Sequence, residues 1–130
     1  MKKRTLFSVV ASALCLSAVA VGSAQAADYP SKPIRVIVPF APGGSTDIVA
    51  RVVSAKMSDI LGKPMVIENK GGAGGALGAT EAARAKPDGY TLSIATVSTM
   101  AVNPACKPTG LGYDALKDFA PVVNFANVPN

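Results

Sequence analysis

The sequence predicts an α/β fold whose core is a parallel βαβαβ sheet. Three short runs rich in apolar residues, at positions 34–38, 65–68 and 90–95, are separated by two segments with helical periodicity. Each run is followed by a loop of small or polar residues. Strands that alternate with helices in this way form parallel sheets through right-handed crossovers. All three loops are therefore expected at one edge of the sheet.

The first strand and the loop after it carry the clearest local pattern. Residues 34–38 read IRVIV with almost no alternation, which is typical of a parallel strand covered on both faces. The loop, residues 39–47, reads PFAPGGSTD. Pro42 restricts the residue before it to extended conformations, the glycines permit a turn, and a hydroxyl of Ser45 or Thr46 is expected to cap the following helix.

The first helix is predicted over residues 46–61, ended by Gly62 and Pro64. Asp47 lies in its first turn, where an acid complements the helix dipole and can tie down the preceding loop. The periodicity predicts a core-facing apolar side and an outward polar side. The apolar set is Ile48, Val49, Val52, Val53, Met57, Ile60 and Leu61, and the polar set is Arg51, Ser54, Lys56, Ser58 and Asp59.

The second strand leads into a glycine-rich loop, residues 69–75, with the sequence NKGGAGG. An alanine-rich helix over residues 76–86 follows, and its small side chains allow close approach to the sheet. A Pro-Asp-Gly turn precedes the third strand, residues 90–95. After a third polar loop, residues 96–99, we expect an irregular segment, a turn of helix and a fourth strand, at residues 103–112, 113–117 and 119–126.

Ligands of open α/β sheets bind beyond the carboxyl ends of the strands, where loops and helix N-termini converge. The three loops offer backbone N–H groups, hydroxyls and Lys70, and their one carboxylate is Asp47. A helix N-terminus attracts anions, so the sequence predicts an anion-binding pocket at this edge. For the first loop alone, the alternative is an ordinary strand-to-helix turn without a ligand.

Several other kinds of site are not supported. The first glycine loop lacks the Gly-Lys-Ser/Thr ending of a P-loop, and the second has Leu77 where a dinucleotide fingerprint needs glycine, which comes one place late at Gly78. The chain has no histidine, no Gly-x-Ser-x-Gly elbow and no spaced set of metal ligands. We therefore expect no catalytic residues, no metal and no cofactor.

The N-terminus has the pattern of a secretory signal peptide. Three basic residues at positions 2–4 precede an apolar run over residues 6–21, and Ala24-Gln25-Ala26 predicts cleavage after Ala26. A transmembrane anchor is the alternative, but the run is rich in Ala and Ser, whereas a spanning helix needs about 20 strongly apolar residues. Cleavage removes three of the five net positive charges. The remainder has no basic stripe that would indicate nucleic-acid binding.

Four motifs carry a resemblance to a known family. They are VPFAPGGSTD at 38–47, VIEN at 66–69 running into GGAGG at 71–75, KPDGYTL at 86–92, and YD at 113–114 followed by DFAPV at 118–122. In this order and spacing, over nearly the whole mature chain, they resemble the receptors of tripartite tricarboxylate transporters, also called the Bug family.

The resemblance implies a periplasmic-binding-protein-like fold, in which two α/β domains close around a small carboxylated solute and present it to a membrane permease. Residues 27–130 would be the N-terminal part of the first domain, with the second domain beyond Asn130, and a monomer is expected. Family members commonly have Arg-Pro where this chain has Lys70-Gly71. The residues implied to bind the carboxylate are Ala41, Gly43, Gly44, Ser45, Thr46, Asp47, Gly72, Gly74, Gly75, Thr96 and Ser98.

Two alternatives to a receptor remain open on the sequence. One is a periplasmic enzyme that uses the same anion pocket for a small phosphorylated or acyl substrate, with its nucleophile and base outside this chain. The other is a non-functional truncated fragment, since the sequence stops directly after an apolar segment.

Overall fold

A computed structural model of the protein describes residues 28–107 and 109–127. The predicted signal peptide and its cleavage position lie outside these residues. Within them the chain forms a three-stranded parallel sheet with helices packed against it.

The sheet has the predicted βαβαβ connectivity. Strands β1 (Ile34–Val38), β2 (Met65–Asn69) and β3 (Thr91–Ser93) are parallel and lie in the order β2-β1-β3. Strand β1 is central, and its residues Ile34, Val36, Ile37 and Val38 are at most 2% exposed. This burial confirms the prediction of a strand covered on both faces.

Two helices form the crossovers, α1 (Ser45–Leu61) and α2 (Ala76–Ala83). The first crossover leads from β1 to β2, and the second returns past β1 to β3. Because right-handed crossovers in opposite directions put their helices on opposite faces, α1 and α2 flank the sheet on its two sides. The strand order therefore reverses between β1 and β3, which is where open α/β sheets form a ligand crevice.

The ends of α1 are only partly as predicted. Gly62 ends the helix in a left-handed conformation, with its N–H 3.0 Å from the carbonyl oxygen of Ser58. The predicted hydroxyl cap is wrong, because Gly44 is the N-cap residue and makes no side-chain cap. Ser45 and Thr46 are instead the first two residues inside the helix.

The predicted core-facing side of α1 is also wrong in part. The residues buried under the helix are Asp47, Ala50 and Ser54. Ile48, Val52 and Ile60, assigned to the core, are 55%, 67% and 73% exposed. The spacing of the buried residues follows one helical face, but its side chains are small or polar, so α1 can lie close to the sheet.

Close packing also governs α2, where Gly78 lies directly over the first loop. A Cβ atom at this position would stand 2.8 Å from both the Pro39 Cα atom and the Lys70 carbonyl oxygen. Ala79 beside it is 1% exposed. The predicted close approach of a small-residue helix is confirmed, although α2 ends at Ala83 instead of residue 86.

We expect Gly78→Ala to lower the free energy of unfolding by about 1–3 kcal/mol, because the added methyl group meets backbone atoms that cannot move aside. Urea denaturation followed by circular dichroism measures the change. Gly44→Ala is the matched control, since the nearest atom to its Cβ would be 3.7 Å away. It should lose less than about 1 kcal/mol, the usual effect at an N-cap. Equal losses in both variants would contradict the packing argument.

The segment after β3 departs most from the prediction. The expected polar loop and irregular segment contain a π-helical turn (Ser98–Val102) that continues into helix α3 (Asn103–Cys106). A turn is present over residues 115–117, as expected. The predicted strand over residues 119–126 is absent, and Val122 and Val123 are 78% and 69% exposed. A segment rich in β-branched residues forms no strand unless another strand pairs with it.

Candidate functional site

Three loops leave the carboxyl ends of the strands: loop 1 (residues 39–44), loop 2 (residues 70–75) and loop 3 (residues 94–97). The structure brings them together, as predicted. A Cβ atom on Gly71 would lie 3.2 Å from the Ala41 backbone nitrogen. One on Gly75 would lie 3.3 Å from the Phe40 ring and 2.7 Å from the Thr99 methyl group. Only glycine at these two positions lets loop 2 approach its neighbours this closely.

The first turn of α1 presents free N–H groups at this edge. The first amide of the helix with a backbone acceptor is that of Ile48, which donates to the Gly44 carbonyl oxygen at 3.0 Å. Among the described residues, the N–H groups of Gly44, Ser45 and Thr46 have no acceptor. These groups lie at the positive end of a 17-residue helix. A cluster of such N–H groups at a helix N-terminus is favourable for an anion.

Asp47 does not contribute its carboxylate to this open position. Its Oδ2 atom accepts hydrogen bonds from the Gly43 N–H at 2.8 Å and from Arg51 Nε at 2.9 Å. Its Oδ1 atom accepts one from Asn69 Nδ2 at 2.8 Å, and the residue is 2% exposed. The hydrogen bond from Arg51, followed by those from Gly43 and Asn69, holds the pKa of this carboxyl well below its usual range. Asp47 therefore stays charged and ties loop 1 to α1, as its first-turn position predicted.

Loop 2 is held internally by left-handed glycines. Gly72, Gly74 and Gly75 all have positive φ angles. The Gly75 N–H donates to the Gly72 carbonyl oxygen at 3.0 Å, so this amide, predicted as a ligand donor, is already occupied. Asn103 Nδ2 donates to the Gly74 carbonyl oxygen at 2.9 Å and joins the loop to α3. Gly72 and Gly74 remain exposed at the edge.

Loop 3 is closed by two threonines. The Thr96 N–H donates to Thr99 Oγ1 at 3.0 Å, and the Thr99 hydroxyl donates to the Thr96 carbonyl oxygen at 3.1 Å. The predicted donor Thr96 therefore uses its amide within the loop. Tyr113 Oη donates to the Thr99 carbonyl oxygen at 2.6 Å and holds the π-helical turn. The hydroxyl of Ser98 has no partner among the described residues and is available to a ligand.

Lys70 is not a free positive charge in the pocket. Its Nζ atom lies 3.8 Å from Glu68 Oε2 and 3.6 Å from Glu81 Oε2. Arg35 pairs with the same two glutamates. Hydrogen bonding from Arg35 is the main reason that the pKa values of Glu68 and Glu81 are lowered. The four charges balance one another, so Lys70 is neither an isolated loop charge nor a free cation for an anion site.

The residues predicted to bind ligand thus fall into two groups. The Asp47 carboxylate and the N–H groups of Gly43, Gly75 and Thr96 are hydrogen-bonded within the protein. The other predicted residues lie at or next to the open edge: Ala41, Gly44, Ser45, Thr46, Gly72, Gly74 and Ser98. Sequence reasoning missed Arg51 and Asn69 as partners of Asp47. The i,i+4 spacing of Asp47 and Arg51 could have indicated their ion pair. Asn69 lies on a different element, and the sequence gives no signal for its contact with Asp47.

The described part of the chain contains no grouping of three or more His, Cys, Asp or Glu side chains that could hold a metal ion. Within residues 28–107 and 109–127, no helix has both the length and the apolar character that crossing a membrane requires.

Comparison with known proteins identifies the family. The family model described as the tripartite tricarboxylate transporter family receptor, TctC, matches residues 49–130, more than half of the chain. The chain belongs to this family. Among curated TctC relatives, BugT of Bordetella pertussis is 44% identical over 102 residues, which are 78% of this chain and 31% of BugT.

Solved structures agree with the TctC assignment and with the α/β fold. A structure described as a periplasmic transporter is 79% identical with a TM-score of 0.75, over 76% of this chain and 33% of that one. MatC from Rhodopseudomonas palustris with bound malate is 48% identical with a TM-score of 0.68, over 72% of this chain and 32% of MatC. An R. palustris protein with adipate is 33% identical with a TM-score of 0.61, over 68% of this chain and 29% of that protein. The chain therefore spans about a third of the length of these TctC relatives.

Proposed function

We propose that the protein is an exported, periplasmic receptor that binds a small di- or tricarboxylate and delivers it to the membrane permease of a tripartite tricarboxylate transporter. Membership of the TctC family supports this function. The malate bound to MatC and the adipate bound to the second R. palustris protein support a dicarboxylate. The N-terminal pattern of residues 1–26 supports export by a cleaved signal peptide.

The observation that carries the proposal is the set of unpaired N–H groups at the start of α1, where the described residues supply no acceptor. A carboxylate has two acceptor oxygens and no donor when it is ionised, so it complements a cluster of N–H groups. Charge-assisted hydrogen bonds of this kind are stronger than those between neutral groups. The hydroxyls of Ser45, Thr46 and Ser98 can add further donors.

Recognition of this kind needs no free lysine or arginine. Around the three loops, Arg51 is paired with Asp47, and Lys70 is paired with two glutamates. The solute would be held by oriented dipoles and released unchanged to the permease. No cofactor, metal or catalytic group takes part in this mechanism, and the remaining wall of the pocket would come from sequence that the longer relatives contain.

Isothermal titration calorimetry tests the function. The complete gene product, matured at Ala27, is titrated with malate, adipate and a set of other di- and tricarboxylates, and with glucose as a neutral control. We expect saturable 1:1 binding of at least one carboxylate and none of glucose. Binding of glucose with no response to any carboxylate would overturn the proposal.

A further inference from the structure

Asn69 occupies an unusual position, because its one side chain links the end of β2 to loop 1 and to helix α1. Its Nδ2 atom donates to the Phe40 carbonyl oxygen in loop 1 at 3.1 Å and to Asp47 Oδ1 in α1 at 2.8 Å. Its Oδ1 atom accepts from Arg51 Nη2 at 3.1 Å. Arg51 Nε in turn donates to Asp47 Oδ2, so the three side chains form a closed ring.

This ring determines which backbone amide the Asp47 carboxylate binds. With Gly44 as N-cap, Asp47 is the third helical residue, and an acid at that place ordinarily reaches back to the N–H of the N-cap residue. Here the carboxylate binds the N–H of Gly43 instead. The Gly44 N–H is left without an acceptor among the described residues.

We propose that Asn69 is a positioning residue for carboxylate binding: together with Arg51 it holds the Asp47 carboxylate on the Gly43 N–H and so keeps the Gly44 N–H available to the solute. This inference rests on the proposed function of the α1 start as an anion site. Asparagine suits the role because it supplies a donor and an acceptor on one short side chain. Asn69 itself lies beneath loop 1 and does not contact the solute.

Losing the Asn69 amide would create a competitor for the solute. Asp47 Oδ1 and the Phe40 carbonyl oxygen would both lose a donor, and the carboxylate could turn to the Gly44 N–H. The solute would then meet an occupied amide and a negative charge at the same place. Arg51 alone cannot prevent this, because its side chain is half exposed and contacts only one carboxylate oxygen.

The first test is the affinity of Asn69→Ala for whichever of malate or adipate the wild-type protein binds. We expect binding about 10-fold or more weaker, the scale of effect of losing one hydrogen bond to a charged group. Asn124→Ala is the matched control, since the hydrogen bonds of this exposed asparagine go to its neighbours Ala126 and Asn127 and not to the ring. Ser58→Ala is the control for lost stability, because its hydroxyl joins the other end of α1 to the start of β2 and does not touch the ring. Both controls are expected to bind as the wild type does.

The second test is amide hydrogen exchange followed by NMR, without ligand. In the wild type, the Gly43 amide should be protected and the Gly44 amide should exchange freely. In Asn69→Ala, protection is expected to move from Gly43 to Gly44. The positioning role would be overturned if the affinity of Asn69→Ala were unchanged. It would also be overturned if the affinity fell while protection stayed on the Gly43 amide. If the wild type bound no carboxylate, the proposed function would fail, whereas the exchange pattern would still report whether Asn69 controls Asp47.

Discussion

Replacing Ser45 by glutamate is expected to abolish carboxylate binding while leaving the protein at least as stable. Ser45 is the first residue of α1, and its N–H has no acceptor among the described residues. A carboxylate attached here would compete for the first-turn N–H groups and repel the solute, so affinity should fall by about 100-fold or more. The same charge favours the helix, because an acid at a helix N-terminus contributes about 0.3–1 kcal/mol.

The two effects have opposite signs, which makes the experiment informative. Calorimetry with malate or adipate measures binding, and urea denaturation measures stability. Ser45→Gln is the matched control, with similar size and no charge, and it should retain substantially more affinity than Ser45→Glu. If Ser45→Glu bound the carboxylate as tightly as the wild type, the solute would not lie at the start of α1.

The sheet and the meeting of its loops could be predicted because they depend on local patterns. Four of the five residues at 34–38 are β-branched, and such a run in a parallel sheet belongs to a buried central strand. Glycine and proline mark the turns after β1 and β2, and the crossover rule then places all three loops at one edge. The family could be recognised for the same reason, since its motifs are these turns.

The face of α1 could not be predicted from hydrophobicity. A helix packed on a sheet buries the side that fits, and here Ala50 and Ser54 fit beneath a closely placed helix while Ile48 and Val52 do not. Ser58 shows why hydrophobicity misplaces polar residues. Its hydroxyl donates to the Ser54 carbonyl oxygen and accepts from the Met65 N–H, which links α1 to the start of β2.

The hydrogen bonds beneath loop 1 could not be predicted for a different reason. The ring of Asp47, Arg51 and Asn69 joins a helix to the end of another strand, and the partner on that strand is fixed only by tertiary structure. The turn after β3 could not be predicted because its threonines are typical of loops. The structure instead uses Thr99, fully buried, within a π-helical turn.

Asp47→Asn is the second substitution with a large expected effect, and it should reduce both binding and stability. Three donors surround the carboxylate: the Gly43 N–H, Arg51 Nε and Asn69 Nδ2. An asparagine has a single acceptor oxygen, so its NH₂ group would face at least one of these donors. We expect a lower urea midpoint and a carboxylate affinity about 10-fold or more weaker, since loop 1 loses its anchor.

The pH dependence of stability identifies the charge as the cause. The hydrogen bonds to Asp47 lower its pKa in the folded protein, whereas in the unfolded chain it is ordinary, about 3.9. A depressed folded pKa stabilises the fold above the unfolded value, and this contribution is lost as the pH falls towards the folded value. The stability difference between the wild type and Asp47→Asn should therefore be constant above about pH 5 and shrink below about pH 4. Other acids titrate equally in both proteins, so their contributions cancel in this stability difference. If the difference did not change with pH, the Asp47→Asn variant would be destabilised by the shape of its new side chain and not by the missing charge.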